Sequence, residues 1–286
     1  MKIALIPNLG KRDAKLHTSR VIAKLQQIGA EVLLQQEFQT EFSEFSVTIC
    51  EDDKIYLCCD LIIAIGGDGT IIRGAKYAAL FNKPVLGINV GRLGFVAGLE
   101  KHELFYLDAL VSGAYEIEER MMIQVTYWDN GKQKVDHVIN EAVIARGALS
   151  KIVDFQVFSQ EVSTGDYRAD GLIIATPTGS TAYSLSAGGP VVDPQMDCIL
   201  LTPVCPHSLF SRTVVFGSKS KLKVQASSLY NSDIFLTLDG EHSVQIYEEE
   251  PLEFCRSPLS VKMIRMKKNN FYNVLREKLG DRRNTE

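Results

Sequence analysis

The sequence predicts an α/β amino-terminal domain built on a parallel sheet, followed by a β-rich carboxy-terminal domain. Three observations carry this expectation. Through residue 90, short apolar runs alternate with stretches of helical periodicity, the pattern of a parallel sheet with helices on its faces. After residue 115 that pattern gives way to short β-like runs punctuated by Gly, Asp, Asn and Ser. At 286 residues, with 45% hydrophobic and 23% charged residues, the chain also exceeds what one core commonly holds, so two domains are expected, 1–112 and 113–265. Gly113 to Glu119 is the expected crossing point.

Taken in order, residues 2–7 read as a strand that breaks too early to be the apolar core of a secretory leader. Lys15 to Gly29 carries Leu16, Val21, Ile22, Leu25 and Ile28 at helical spacing, with Gly29 placed to end the helix. Val32-Leu33-Leu34 is a second strand, and the polar, acidic stretch 36–54 reads as an irregular surface loop. Leu61 to Ile65 is fully apolar and β-branched, the mark of a buried strand. It runs directly into Gly66-Gly67-Asp68-Gly69-Thr70, and a helix is expected from Ile71 to Leu80. Pro84 to Asn89 is another strand. In the second half, β-like runs fall at Met121 to Tyr127, Lys134 to Ile144, Asp154 to Phe158, Leu172 to Thr176, Thr213 to Phe216, Leu222 to Ala226 and Ile234 to Leu238. Phe271 to Leu279 is a terminal helix that could pack on either domain.

Composition excludes several function classes. A net charge of −4 and a pI near 5.8 give a polynucleotide no general positive field to meet. No apolar run reaches the roughly 18–20 residues needed to span a bilayer, so no membrane partner is expected. Six cysteines without C-x-x-C spacing read as reduced, mostly buried thiols of a cytoplasmic protein.

The glycine turn is the most informative stretch. Strand, glycines and helix start together present free backbone N–H groups to an anion, with the positive end of the helix dipole behind them. Asp68 conflicts with simple phosphate holding, because a carboxylate there repels the ligand unless a cation bridges them or the carboxylate acts on a nearby hydroxyl. That conflict points to phosphoryl transfer. The dinucleotide fingerprint fails, since isoleucine stands where the third glycine belongs, and no Gly-Lys-Ser/Thr of a Walker loop follows.

A second block, Arg168 to Pro190, leaves an apolar strand and becomes small, hydroxylated and glycine-rich, fit to line a polar pocket; the alternative is a Ser/Thr-rich surface turn. Asn140-Glu141, inside a β-like run from Val135 to Ile144 that is otherwise apolar on one face, suits a purine edge or ribose hydroxyls, or else is an exposed strand end. Asp239-Gly240-Glu241 reads by default as a hairpin turn, and Cys205-Pro206-His207-Ser208 is ambiguous. Neither a Gly-x-Ser-x-Gly hydrolase signature nor zinc-ligand spacing occurs.

These residues carry a resemblance. Gly66-Gly67-Asp68-Gly69-Thr70 is similar to the turn shared by NAD kinases, diacylglycerol and sphingosine kinases and, with serine last, phosphofructokinases. Gly91-Arg92-Leu93-Gly94-Phe95, Asn140-Glu141, Asp170-Gly171 through Thr176 to Ser184, and Cys205-Pro206-His207-Ser208-Leu209 together resemble the NAD kinase family over about residues 60 to 245. The resemblance implies transfer of the γ-phosphoryl group of ATP to the 2′-hydroxyl of the adenosine ribose of NAD, giving NADP, with a divalent metal such as Mg2+. It further implies Asp68 as proton acceptor. NAD contacts are implied from Asp68, Gly69, Arg73, Asn140, Glu141, Lys151, Arg168, Asp170, Thr181, Ala182, Tyr183, Ser184, Leu185 and Ser186, and phosphate contacts from Gly66, Gly67 and Thr70. Glu241 departs from the glutamine many relatives carry. The family fold implies that the tail, 266–286, returns to the first domain, and that the chain forms a homo-oligomer, a dimer or tetramer.

Overall fold

The alternation of the first ninety residues folds as a parallel sheet. The computed structural model describes all residues except 52–53, 149–150, 208–211, 229–232, 249, 268–270 and 281–286. Strands β1 (Lys2–Pro7), β2 (Glu31–Gln35), β3 (Thr48–Cys50), β4 (Leu61–Gly66) and β5 (Pro84–Asn89) lie in the order β3-β2-β1-β4-β5, all parallel, and β6 (Leu99–Glu100) adds to β5. Helices α1 (Ala14–Gln27), α2 (Lys54–Cys58) and α3 (Asp68–Leu80) make the crossovers, and α4 (Asp108–Ser112) follows β6. β1 and β4 are central, and over the register Ile3↔Leu61 to Pro7↔Ile65 both are buried and apolar, as strands covered on both faces are. The chain leaves β1 toward β2 and β3, then returns to β4 on the other side of β1. Ligands of such sheets collect at the carboxyl ends of the two strands where the order reverses, here Pro7 and Gly66.

α1 buries Val21, Ile22 and Leu25, leaves Leu16 exposed, and stops where Gly29 takes a left-handed φ of 77°. The stretch 36–54, expected to be irregular, holds a 3-10 turn at Gln36–Phe38, the fully buried Phe42 and strand β3. Its few apolar residues are enough to anchor it to the core.

The second half of the chain forms two antiparallel sheets. β9 (Glu141–Arg146) and β12 (Gly171–Ala175) are the middle pair of one sheet, and α5 (Tyr183–Ser186) lies in the connection that follows β12. β7 (Glu116–Asp129), β8 (Lys132–Val138), β10 (Val153–Ser159) and β11 (Val162–Ala169) complete the strands before α5. β13 (Cys198–Val204), β14 (Val214–Gly217), β15 (Leu222–Ser227), β16 (Ile234–Leu238), β17 (His242–Ile246) and β18 (Leu252–Arg265) follow it. One sheet runs β14-β13-β12-β9-β16-β17, and the other contains β11-β10-β15 with the start of β18. Ile144, Leu172, Ile174 and Leu236 from the first sheet and Phe155, Val157, Val224 and Phe254 from the second share one fully buried core. Ala187 and Val192 cover the opposite face of β12 and β13 over Ile173, Ala175 and Leu200. β12 is therefore buried on both faces, which explains its unbroken apolar run.

The chain divides into two units, Met1–Glu119 with Val261–Glu286, and Arg120–Ser260. The last residues of β18 pair with β5 in the first unit, Lys262↔Pro84 and Met263↔Val85, and α6 (Phe271–Leu279) belongs to that unit as well. Among the described residues no helix is long and apolar enough to cross a membrane. All six cysteines are free, but only Cys59 and Cys198 are buried, while Cys58 and Cys205 are exposed. The thiols are thus less buried than composition suggested.

Candidate active site

In the first unit the site begins where β4 ends. α3 starts at Asp68 rather than Ile71, so the turn contracts to Gly67 and Asp68 stands in the first helical turn. Gly66 makes this possible: a Cβ there would lie 2.4 Å from Thr70 Oγ1. No side chain caps α3, so its first N–H groups, which have no intrahelical acceptor, are left to meet an anion. Asn8, just past β1, donates from Nδ2 to Thr70 Oγ1 at 3.0 Å and ties the two strand ends together. Lys11 Nζ lies over Gly67, 2.4 Å from where a Cβ would be, which adds a cation that the sequence motifs did not indicate.

The Asp68 carboxylate is aimed by a different segment. It accepts the backbone N–H of Phe95 at 2.9 Å and that of Val96 at 3.4 Å. Gly94 gives it room, because a Cβ there would come within 2.0 Å of Oδ1. The loop is held in turn by Asn89, fully buried at the end of β5, which donates to Arg92 O and Glu100 Oε2 and accepts from the Gly91 N–H. The Gly91 to Phe95 motif thus serves to position Asp68. α6 adds a second element absent from the sequence reading: Lys278 Nζ sits 3.9 Å from Asp68 Oδ2 and 4.0 Å from the centre of the Phe95 ring. Arg73, one turn further along α3, is exposed and lines a cavity of about 600 Å³ with Asn8, Phe38 and Tyr77.

In the second unit Asn140 and Glu141 do not lie within one strand, as expected, but at the break between β8 and β9. Asp239 holds that break open. Its carboxylate accepts the N–H groups of Ile139, Asn140 and Glu141 at 3.0, 2.8 and 3.2 Å, so the Asp239-Gly240 hairpin turn is also a clamp on the Asn-Glu pair. Gly179 packs on the same backbone, where a Cβ would lie 2.1 Å from Asn140 O. Glu141 is only 7% exposed and accepts the Tyr183 N–H, while its Oε2 has no hydrogen-bond partner. Burial first, then the Asp239 charge, pushes its carboxyl up to about 7.

Asp170 is paired with Arg146, Nε to Oδ1 at 2.7 Å, a partner not singled out from the sequence. Arg168 stands 3.7 Å from Asp154, and Lys151 is exposed. The hydroxyl-rich run divides by direction: Thr176, Thr178, Ser180 and Ser184 are buried and bonded internally, Ser184 to Thr202 at 2.9 Å. Tyr183 and Ser186 are exposed and Thr181, Ala182 and Leu185 half-buried, so these are the members of Thr181 to Ser186 available to a ligand. Ser208 and Leu209 of the Cys-Pro-His motif lie outside the described residues.

Comparison with known proteins follows the same division. A model of the ATP-NAD kinase N-terminal domain matches residues 3–115, and one of the ATP-NAD kinase C-terminal domain matches residues 139–266. Curated NAD kinases of Symbiobacterium thermophilum and Acetivibrio thermocellus are 37% and 34% identical to this chain. They cover 98% and 99% of it and 99% and 98% of their own lengths. Among solved structures, yeast NADH kinase complexed with NADH has a TM-score of 0.88 at 23% identity, over 100% of this chain and 89% of that one. An NAD kinase from Archaeoglobus fulgidus in complex with ATP has a TM-score of 0.76 at 24% identity, over 98% of both chains. Both share the fold. The chain belongs to the ATP-NAD kinase family.

Proposed function

We infer that this chain transfers the γ-phosphoryl group of ATP to the 2′-hydroxyl of the adenosine ribose of NAD, giving NADP. The observation that carries the mechanism is the Asp68 carboxylate in the first turn of α3, fixed by the Phe95 N–H beside N–H groups that no side chain caps. A ribose hydroxyl is a poor nucleophile, and a carboxylate within about 3 Å can align it and accept its proton as the bond to phosphorus forms. The new bond joins the 2′-oxygen to the γ-phosphorus, the bond from that phosphorus to the bridging oxygen breaks, and ADP leaves with the electron pair. Aspartate is a weak base, so proton transfer is late, and alignment and charge neutralisation supply most of the acceleration. Gly66, Gly67 and Thr70 face the transferring phosphates.

Residues 1–112 with 266–286 are proposed to carry this phosphate chemistry, and 113–265 the dinucleotide. Asn140, Glu141 and Asp170, with the accessible part of Thr181 to Ser186, take the adenosine half through directional hydrogen bonds. Arg168 and Lys151 are proposed to contact its phosphates.

A divalent ion, Mg2+, is proposed to arrive with ATP. No group of three or more His, Cys, Asp or Glu among the described residues could hold an ion by itself. Asp68 offers one hard oxygen donor at the phosphate end of the turn, which fits an ion bound mainly by nucleotide oxygens and water. When bound, it neutralises charge on the transferring group.

Incubation with ATP, Mg2+ and NAD, followed by an enzymatic cycling assay for NADP, tests the reading. Asp68→Asn is expected to keep NAD affinity and lower turnover by roughly 10²-fold or more. Near-normal turnover in that variant removes the proton-acceptor role.

A further inference from the structure

Either carboxylate oxygen of Asp68 could take a proton, but the structure treats the two differently. Oδ2 accepts the Phe95 N–H at 2.9 Å and has Lys278 Nζ of α6 at 3.9 Å. Oδ1 accepts the Val96 N–H at 3.4 Å, the long limit of such a bond. We propose that Lys278 is a positioning residue for phosphoryl transfer: together with the Phe95 N–H it holds Oδ2, and so presents Oδ1 to the acceptor hydroxyl. The hydroxyl proton then passes to Oδ1 as its oxygen bonds the γ-phosphorus, and ADP leaves with the electron pair of the broken bond.

Three features support this role. The first is that Phe95 ties the lysine to the carboxylate. Its N–H holds Asp68, while its ring carries Lys278 Nζ 4.0 Å from the ring centre and meets Phe271 of α6 with centroids 6.2 Å apart. A shift of α6 is therefore felt at the residue that aims Asp68. The second is that the strand leading to α6 grips the same loop. Arg265, at the end of β18, donates from Nη1 to Val96 O at 3.4 Å and Ala97 O at 3.2 Å, and its Nε pairs with Glu118 at 3.1 Å. The segment from Phe95 to Ala97 is thus fastened to Asp68 through its N–H groups and to residues 265–278 through its carbonyls and ring. The third is electrostatic. The Lys278 and Asp68 side chains are 27% and 35% exposed, and a pair so open to water adds little to stability. Substrates seated against Asp68 displace that water, and the same pair then acts in a lower dielectric, where its orienting pull is stronger. Lys278 accordingly contributes more to turnover than to folding.

This role rests on the proposed kinase reading. The test uses the full chain and four variants: Lys278→Met, which keeps an unbranched stem over Phe95 without the charge, Lys278→Arg, Asp68→Asn, and the double variant Asp68→Asn with Lys278→Met. Each is measured for kcat and KM with ATP, Mg2+ and NAD by the cycling assay for NADP, and for thermal unfolding without ligand. Lys278→Met is expected to lower kcat about tenfold, with both KM values within about twofold and the melting temperature within about 2 °C of wild type. Lys278→Arg should restore kcat to within about threefold of wild type, because it returns a cation to the Phe95 ring. In the Asp68→Asn background Lys278→Met should change the residual rate by less than about twofold, since its effect runs through the carboxylate. A full tenfold loss in that background overturns the positioning role, and so does wild-type kcat in Lys278→Met. Failure of Lys278→Arg to recover kcat overturns it as well, by showing that the side chain serves only the seating of α6. A wild-type chain that forms no NADP defeats the kinase reading, whereas one that forms NADP at full rate with Lys278→Met in place defeats only the lysine.

Discussion

Replacing Glu141 with Gln separates the energetic cost of the Asn-Glu site from its chemistry. The Glu141 carboxyl is buried with one oxygen unpartnered, beside the Asp239 carboxylate, and titrates near 7 instead of its ordinary 4.5. A carboxyl whose folded value is raised binds more protons in the folded state than in the unfolded chain between those two values. The folded state therefore loses stability as pH climbs through that window. Integrated between pH 5 and pH 8, the loss from this one group is roughly 2–3 kcal/mol, from 1.36 kcal/mol per unit. Glutamine keeps an acceptor for the Tyr183 N–H and never ionises. Glu141→Gln is accordingly expected to be close to wild type at pH 5 and more stable at pH 8, with a melting temperature higher by about 5–10 °C. The assay is thermal unfolding of both proteins, without ligand, across pH 5 to 8, reading the difference between them so that other titrations cancel. A difference that does not change with pH refutes the buried, charge-opposed carboxyl, and one that shrinks toward pH 8 reverses its sign.

Two further substitutions probe how the catalytic and acceptor groups are held. Gly94→Ala places a Cβ about 2 Å from Asp68 Oδ1, so the carboxylate must swing away from the Phe95 N–H. Turnover is expected to fall at least about tenfold with NAD affinity nearly unchanged, checked by kcat against calorimetric Kd. Asp239→Ala strips the acceptor from three backbone N–H groups and is expected to cost roughly 2–4 kcal/mol in denaturant unfolding. The same change should weaken NAD binding, because the clamp on Asn140 and Glu141 is gone, and unchanged NAD affinity would show that the pair keeps its shape unaided.

What could be read from the sequence depended on whether a residue's environment was set by its neighbours in the chain. β4 and β12 are covered on both faces, and their apolar runs announce them. β11 lies at the edge of its sheet with an exposed, polar pattern and Gly165 within it, and β13 carries Pro203, so neither displays the usual strand signal. The same rule applies at the site. The glycine turn is local, since Gly66, Asp68 and Thr70 constrain one another within five residues, and it was legible as a phosphate-handling element. Its orientation was not, because the N–H that aims Asp68 comes from Phe95, 27 positions on, and the lysine beside it from α6. Composition marked the run from Thr176 to Ser186 as hydroxyl-rich, but direction decides function there. Thr176, Ser180 and Ser184 serve the interior and Tyr183 and Ser186 face outward, a difference fixed by the contacts of β13 and Val192 rather than by spacing.

Long-range clamps of this kind explain why the motifs are fragmentary along the chain. Asp239 holds Asn140 from 99 residues away, Arg146 holds Asp170 from 24, and Gly94 makes room for Asp68. In each case a residue with an unremarkable local reading, a hairpin aspartate, a strand arginine or a loop glycine, fixes the group proposed to meet substrate. A hairpin aspartate need only accept N–H groups of its own turn, whereas one accepting three N–H groups from another strand break is constrained at both ends. Replacing such a residue should therefore change the position of the substrate-facing group before it changes the fold, which is why affinity and turnover, measured separately, discriminate better here than loss of activity alone.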